Sequence, residues 1–379
     1  MTVYPNNALP FSSSAKFYGT QQPTIYPNSI RIVQEEFRHD MVVLDFWADD
    51  VNSDSYQSGM PVSISYGRRG LHRSFYGYVN HASRTNNALS GTDLMGRNST
   101  TVYCVGASWP MKQRGTQSWT GYTATQVIKE IADLFNLDAD IIDDTTVWPV
   151  LHMTGQTFWQ FCCGLAERIG YTFYVSGMRL VFKPRRTDPT NIRGNVTWYD
   201  YRADPASLSI FVPTLGSTSP EGGELATRQL AGIDPRTGNA IFAQQSGSPQ
   251  PSILGSLIDA PVFTRTRHDS VLSLAEANAK MSGAGSHNQL YLAAQAHGAG
   301  NSLVSQGSLV YVANANGSQN GMWFVKKADH LLTATNYTMD LELGRDSLGA
   351  AQRIAGSSVP ENLPSASLSS NVWRAVVVA

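Results

Sequence analysis

Cysteine is scarce in this chain. The 379 residues contain three, Cys104, Cys162 and Cys163. An odd number without framework spacing argues against a disulfide scaffold. Neighbouring helical side chains point about 100° apart, so adjacent Cys162 and Cys163 are poorly placed to bond each other. No third or fourth sulfur stands at zinc spacing. Charge is scarce too. Asp, Glu, Lys and Arg make up 15% of the chain and the formal net charge is -1, so the basic excess of a phosphate-gripping protein is missing. No apolar run approaches the roughly 18 residues that span a bilayer, so no stable membrane insertion is expected. The opening MTVYPNNALPF has no basic segment leading into an apolar core, and no export signal is expected.

Catalytic signatures are equally thin. There is no Walker-type phosphate loop and no G-x-S-x-G elbow. The eight histidines form no H-E-x-x-H and no helical metal pair. Asp138, Asp140, Asp143 and Asp144 lack the central Gly and closing Glu of a calcium loop and read as a solvated acidic loop. Asp340 and Glu342 share a strand face, as ordinary solvent-facing residues do, and nothing nominates a carboxylate pair for glycoside hydrolysis. The sequence nominates no catalytic, cofactor-binding or metal-ligating residue.

What is present is a β-rich, turn-rich chain. Hydrophobic residues make up 42%, with 32 Gly, 16 Tyr and 8 Trp; the length suits about two to three domains. Residues 1–28, rich in Pro, Asn, Ser and Tyr, read as an extended N-terminal arm. From Ser29 to residue 115, short runs such as SIRIVQEEF, MVVLDFWA, GMPVSISYG, SFYGYVNHA and TTVYCVGA alternate like strands of a barrel or sandwich.

The period changes over residues 116–190. TATQVIKEIADLFNL places Val127, Ile128, Ile131, Leu134 and Phe135 at helical spacing, with Thr123 and Gln126 as a capping box and Asn136 as C-terminal cap. A loop, DADIIDDTTVWPVLHM, is expected next. A second helix begins at the capping box Thr157–Gln160, carries Phe158, Phe161, Cys162, Leu165 and Ile169 on one stripe, and stops at Gly170. A hairpin with a Ser176-Gly177 turn follows. Cys162 thus reads as a small core residue, with Cys163 one step off the stripe.

Strands resume over 191–346. A long Gly/Ser/Pro loop is expected at 214–261, and a helix near 270–283, capped by Asp269 or Ser270 and stopped by Gly283. NQLYLAAQAHG, GSLVYVANANG, GMWFVKKADHLL and NYTMDLELGRD read as strands. Residues 347–379 form a tail whose apolar end, NVWRAVVVA, is expected to dock as a strand or pack on a neighbour.

Taken in order, three stretches resemble the phage tail hub proteins: the late control protein D family, the baseplate hub of contractile-tailed phages, and the N-terminal part of type VI secretion spike proteins. The stretches are GYTATQVIKEIADLFNL, then QTFWQFCCGLAERIGYTFYVSGMRLVFKP, then GSLVYVANANGSQNGMWFVKKADHLLTATNYTMDLELGRD. The resemblance implies a β-rich α+β chain with two tail-tube-like β-barrel domains and an intervening α/β insert. It implies a homotrimer whose six barrels form a pseudo-hexameric ring around a channel, joining the tail tube to the central spike. Implied partners are the tail tube or distal tail protein, the spike or tip protein, the tape measure protein and baseplate wedge or peripheral proteins, with DNA only as non-specific cargo. The implied place is the virion tail, after synthesis in the host cytoplasm. No residues remain for a fused lysozyme, peptidase or needle domain, so a non-enzymatic role is expected.

Candidate interface residues are Arg68, Arg69 and Arg73 in GRRGLHR, with Trp373, Val376, Val377 and Val378 at the C-terminal end; KPRR, from Lys183 to Arg186, is a second basic patch. Two other readings stay open: a tail-associated glycan-binding or glycan-hydrolysing β protein using the Trp and Tyr residues, and a nucleic-acid module using the basic patches.

Overall fold

Alternating apolar residues of the first half pair into six strands: β1 (Phe11–Phe17), β2 (Ser29–Glu35), β3 (Met41–Trp47), β4 (Pro61–Arg68), β5 (Leu71–Thr85) and β6 (Ser99–Gly106). The computed structural model describes residues 11–19, 24–47, 55–68, 71–85, 99–184, 194–200, 208–214, 227–234, 237–245, 264–268, 271, 273–287, 292–313, 321–345 and 375–378. Ile30 and Ile32, Val42 and Leu44, Val62 and Ile64, and Phe75 and Val79 all point into one core, as period-2 alternation requires. Part of the arm is a paired strand. Phe11, Ala15 and Phe17 enter the same core, and β1 pairs antiparallel with β4. FSSSAKF hides this because three serines interrupt its apolar row.

The insert runs β7 (Arg114–Thr123), α1 (Ala124–Leu134), β8 (Asp138–Ile141), β9 (Val147–Thr157), α2 (Phe158–Ile169), β10 (Tyr171–Ser176) and β11 (Arg179–Pro184). Both capping boxes are formed. Thr123 Oγ1 accepts from Gln126 N at 3.2 Å while Gln126 Oε1 accepts from Thr123 N at 2.9 Å, and Thr157 and Gln160 repeat this at 3.1 and 3.1 Å. Asn136 (φ 53°) and Gly170 (φ 75°) stop the helices in the left-handed region. Val127, Ile128, Ile131, Cys162 and Leu165 share a core with Trp148, Phe173 and Phe182.

Three expectations for the insert are corrected. Leu134 is not on the buried stripe but 59% exposed. The stretch after α1 is not a loop: β8 pairs in parallel with β11, and β9 pairs with β7, burying Trp148, Leu151 and Met153. Pro149 and the run of aspartates obscure the alternation. The hairpin turn lies one residue later, at Gly177-Met178, since Ser176 already pairs with Arg179 and Gly177 carries the positive φ of 61°.

The remaining elements are β12 (Gly194–Asp200), β13 (Leu208–Thr214), β14 (Thr227–Ile233), β15 (Ala240–Gln245), β16 (Thr264–His268), α3 (Leu274–His287), β17 (Leu292–Ala299), β18 (Leu309–Ala313), β19 (Gly321–Thr333), β20 (Tyr337–Arg345) and β21 (Ala375–Val378). The expected loop 214–261 contains the β14–β15 hairpin, closed by Asp234 and Asn239. Leu230, Ile241 and Ala243 give that hairpin a buried face against Val271, Ala277 and Met281, and the rest of 214–261 lies outside the described residues. Helix α3 starts later than expected. Its cap is Ser273, whose Oγ accepts from Glu276 N at 3.1 Å, and the helix runs past Gly283. It packs on α2, so the hairpin body sits on the insert, formed by chain that the sequence assigned to the second half.

The two strand-rich halves meet in one sheet. Antiparallel pairing of β2 with β19, from Ser29↔Thr333 to Glu35↔Lys327, is the seam. Its order is β1-β4-β5-β6-β3-β2-β19-β18-β12-β21, with β20, β17 and β13 branching from β19. The long β19 serves as the branch because its first residues pair with β18 and its later ones with β2, while β20 occupies its other edge. The molecule is therefore strand-rich, with a curled half-barrel sheet and three helices among the described residues. No described helix is long and apolar enough to cross a membrane.

Candidate functional site

One ribbon of the sheet, β5-β6-β3-β2-β19-β20-β17-β13, is antiparallel throughout and crosses both halves. Its core face carries Ile30, Leu44, Ala328, Met339, Leu341 and Ala296. The opposite face is solvated. Strand register places Asp329 directly across from Asp340, and two such carboxylates repel unless each has its own partner. Each has one. Arg31 grips Asp329 with its fork, Nη2 donating at 2.7 Å and Nε at 3.1 and 3.2 Å. That pairing holds the guanidinium above its ordinary value. His297 Nδ1 lies 2.6 Å from Asp340 Oδ1, and Lys327 Nζ donates to Glu342 Oε1 at 2.9 Å. Glu342 raises the Lys327 ammonium in turn.

Apolar side chains flank this charged centre. Met41 and Tyr103 lie exposed on the first-half side, with His81 stacked on Tyr103 at 4.3 Å between ring centroids. Ile210 and Val212 lie exposed on the other side and line a shallow groove with His297, Lys327 and Asp329. Each end of the ribbon keeps some unpaired edge among the described residues. β13 has β17 as its single partner strand, and β5 beyond Val79 has β6 alone. Pro213 and a bulge between Leu208 and Ile210 mark the β13 edge, devices that limit indiscriminate strand addition.

A second concentration of polar chemistry is buried where the first half, the insert and the second half meet. Its centre is the turn from Glu36 to Asp40 between β2 and β3. Phe37 takes a positive φ of 59°, its N–H donates to Phe173 O at 2.9 Å, and its carbonyl accepts from Trp159 Nε1 at 3.3 Å. These bonds tie the turn to the insert. Thr172 Oγ1 donates to Glu36 Oε1, and Glu36 N donates to Lys326 O at 3.0 Å. His39 packs on Trp159 with ring centroids 4.1 Å apart and planes tilted by 32°, and it bonds Ser108 Oγ at 2.7 Å. Burial pushes its imidazole down to about 4. Asp40, 2% exposed, accepts from Gln34 Nε2 at 3.0 Å and from Gln306 Nε2 at 2.8 Å. Burial pushes its carboxyl up to about 7, against the pull of the two amides and Arg73. Nearby His330 is fully buried between Val304 O and the Tyr337 hydroxyl, and burial pushes it down to about 4.

The sequence-nominated residues are scattered. Arg68 ends β4, and Arg69 lies outside the described residues. Arg73 turns toward the insert, its Nη2 donating to Ser176 Oγ at 2.6 Å. Val376, Val377 and Val378 belong to β21, which pairs antiparallel with β12, while Trp373 lies outside the described residues. The β4–β5 turn and β21 occupy distant places in the strand order and are not brought together. Lys183 of the second basic patch bonds Asp140 at 3.2 Å, Asp143 takes Lys129 at 2.7 Å, and Asp144 accepts from Thr146 N at 3.1 Å. All three cysteines are free thiols, and burial pushes Cys104 and Cys163 up to about 12 and Cys162 well above its ordinary value. No group of three or more His, Cys, Asp or Glu that could hold a metal ion occurs among the described residues. Sequence reasoning passed over the Asp40 joint. Its signal was Gln34, the third residue of the inward row Ile30, Ile32, Gln34, a polar side chain where the alternation calls for an apolar one.

No protein-family model and no curated protein matches the chain. Solved structures do. A tail protein from Neisseria meningitidis MC58 superposes with a TM-score of 0.64 at 11% identity, covering 89% of this chain and 97% of that one. The 43 kDa tail protein of prophage MuSo2 from Shewanella oneidensis gives 0.63 at 12%, covering 88% and 98%. An Escherichia coli component of the type VI secretion system, described as structurally similar to phage T4 tail proteins, gives 0.57 at 9%, covering 88% and 77%. The chain therefore has the fold of phage tail proteins over most of its length.

Proposed function

We propose that this chain is a structural hub of a phage tail or baseplate, a homotrimer that joins the tail tube to the central spike or tip and forms part of the channel through which DNA leaves. In this reading each strand-rich half acts as one tail-tube-like barrel unit, and three chains supply six such units to a ring. The observation that carries the proposal is the eight-strand antiparallel ribbon whose end strands, β13 and the part of β5 beyond Val79, each keep one edge unpaired among the described residues. A ribbon that crosses both halves and keeps such partial edges is suited to continue into a neighbouring copy, β13 of one against the outer part of β5 of the next. Rotation by a third of a turn then closes the ring.

The solvated ribbon face would line the channel. Its lysine and arginine, Lys327 and Arg31, already hold carboxylates, so few free cations remain to grip phosphates. Such a surface lets DNA pass as cargo, and it suits a non-enzymatic role. The tail tube or distal tail protein, the spike, the tape measure protein and peripheral baseplate proteins are the partners this role requires, with the virion tail as its place.

The experiment is a cross-link between the two edges. Ser83→Cys on β5 and Ser209→Cys on β13 are combined in one chain and treated with a short bismaleimide. The parent chain, whose thiols are buried or half-buried, is the control. Covalent species of two and three chains that depend on both substitutions are expected. Products confined to single chains contradict ring closure through these edges.

A further inference from the structure

The Asp40 joint has features that ordinary packing does not need. Its carboxylate is buried and bridges residues far apart in sequence, Gln34 beside it and Gln306 across the seam. Both donors are neutral amides. The nearest guanidinium, Arg73, donates instead to Ser176 on β10. A buried carboxylate without a cation in contact is costly, and a proton removes that cost. The carbonyl oxygens Gln34 Oε1 and Gln306 Oε1 are themselves buried and without a hydrogen-bond partner among the described residues, as is Tyr66 OH. A carboxylate can only accept and leaves the two amide oxygens without a donor, whereas protonation adds one donor to this buried joint.

We propose that Asp40 is a proton-operated latch between the halves of the sheet and the insert, closed when it carries a proton and loosened when the proton leaves. The mechanism follows from what the turn touches. Gly106 N donates to the Asp40 carbonyl at 2.8 Å, so movement of Asp40 is felt at the end of β6. Gln306 sits beside Gly307, whose backbone (φ 76°) lies against the Tyr174 hydroxyl of β10. Losing the proton leaves a buried charge held by two neutral amides with no cation in contact, and the joint relieves this by opening toward solvent.

The groups facing Asp40 set the sign. Arg73 on β5 favours the charged form, as do the amides of Gln34 and Gln306. Tyr66 on β4 and Tyr174 on β10 are neutral, raised by burial and within electrostatic reach of Asp40. Glu36 and His39 share its turn, Glu36 adding negative potential beside Tyr174 and His39 held neutral by burial next to Lys112. Burial outweighs the favourable terms, and the carboxyl titrates near neutrality, at about 7. A carboxyl raised from 3.8 contributes stability present below its unfolded value and lost as pH rises through about 7. The latch therefore loosens as pH rises from near 3.8 to about 7 and stays loosened above that, and it does so whether or not three chains form a ring.

The test compares the full chain with Asp40→Asn by amide hydrogen exchange at Gly106 and Gly307. At any one pH the intrinsic exchange rate is the same in both proteins, so the ratio of rates reads joint opening alone. The ratio, parent over variant, is expected to rise at least about tenfold from pH 5.5 to pH 8.5, because each unit between the two pKa values is a factor of ten. A ratio constant with pH overturns the proposal. If the variant does not fold, infrared spectra of the parent decide: a carboxylic-acid carbonyl band present at pH 5.5 and lost by pH 8.5 supports the latch, and absence of that band at pH 5.5 overturns it.

Discussion

At the scale of single residues, this fold is held by contacts that leave little room for change. Gly300 lies against the Tyr337 ring, where an added Cβ would fall 2.0 Å from Cδ2, and Gly307 combines a φ of 76° with a Cβ position 2.1 Å from Tyr174 Oη. Gly307→Ala must therefore move Tyr174 and strain the backbone. We expect it to cost at least about 2 kcal/mol in urea unfolding, the combined scale of a positive-φ penalty and a displaced side chain. A loss below half that value would show that the joint tolerates movement of Tyr174. His330 makes a pH prediction. Its imidazole is lowered by burial to about 4, so the unfolded chain takes up a proton first, near 6.5. Stability contributed this way is present above 6.5 and lost as pH falls toward 4. His330→Gln should make stability fall less steeply between pH 6.5 and 4 than in the parent, and an unchanged slope would remove His330 from the acid response. The sequence offered both clues in its alternation. Gln34 and His330 occupy inward positions in rows that are otherwise Ile30, Ile32 and Ala328, Leu332. What it did not contain was the pairing of Asp40 with Gln306, because contacts between residues so far apart leave no local period.

Elements follow from local chemistry where that chemistry is strong. Helices α1 and α2 were legible because two capping boxes, a left-handed Asn136 or Gly170, and a buried stripe all agree. Thr123→Ala and Thr157→Ala should each destabilise the chain by about 1 kcal/mol, measured as a fall in urea midpoint at unchanged slope. No fall at either site would mean that the packing of the insert, rather than its caps, sets those helix starts. Strands that pair at a distance were harder to read. β8 has four residues and depends on a parallel partner, β11, reached through a helix and two further strands. The β14–β15 hairpin hides in a Gly/Ser-rich region because its buried face needs only Leu230, Ile241 and Ala243. Its packing on the insert through α3 is tertiary information, and the sequence order misassigned it to the second half.

For the whole molecule, the decisive feature is the seam between β2 and β19. It turns two strand-rich halves into one ribbon with a charged, solvated face and, among the described residues, unpaired edges at β13 and the outer part of β5. The family resemblance read from the sequence and the solved tail-protein structures agree on the fold, although no pairwise identity exceeds 12% among the structures compared. Composition alone could not have placed the ribbon, since its two ends come from residues near 80 and near 210. The most direct test of the central claim is the solution mass of the purified chain by light scattering over a range of concentrations, with averaged electron micrographs of the same sample. The account predicts a species of three chains, seen end-on as a ring with an open centre. A compact single chain at every concentration, with no ring in the micrographs, would contradict it.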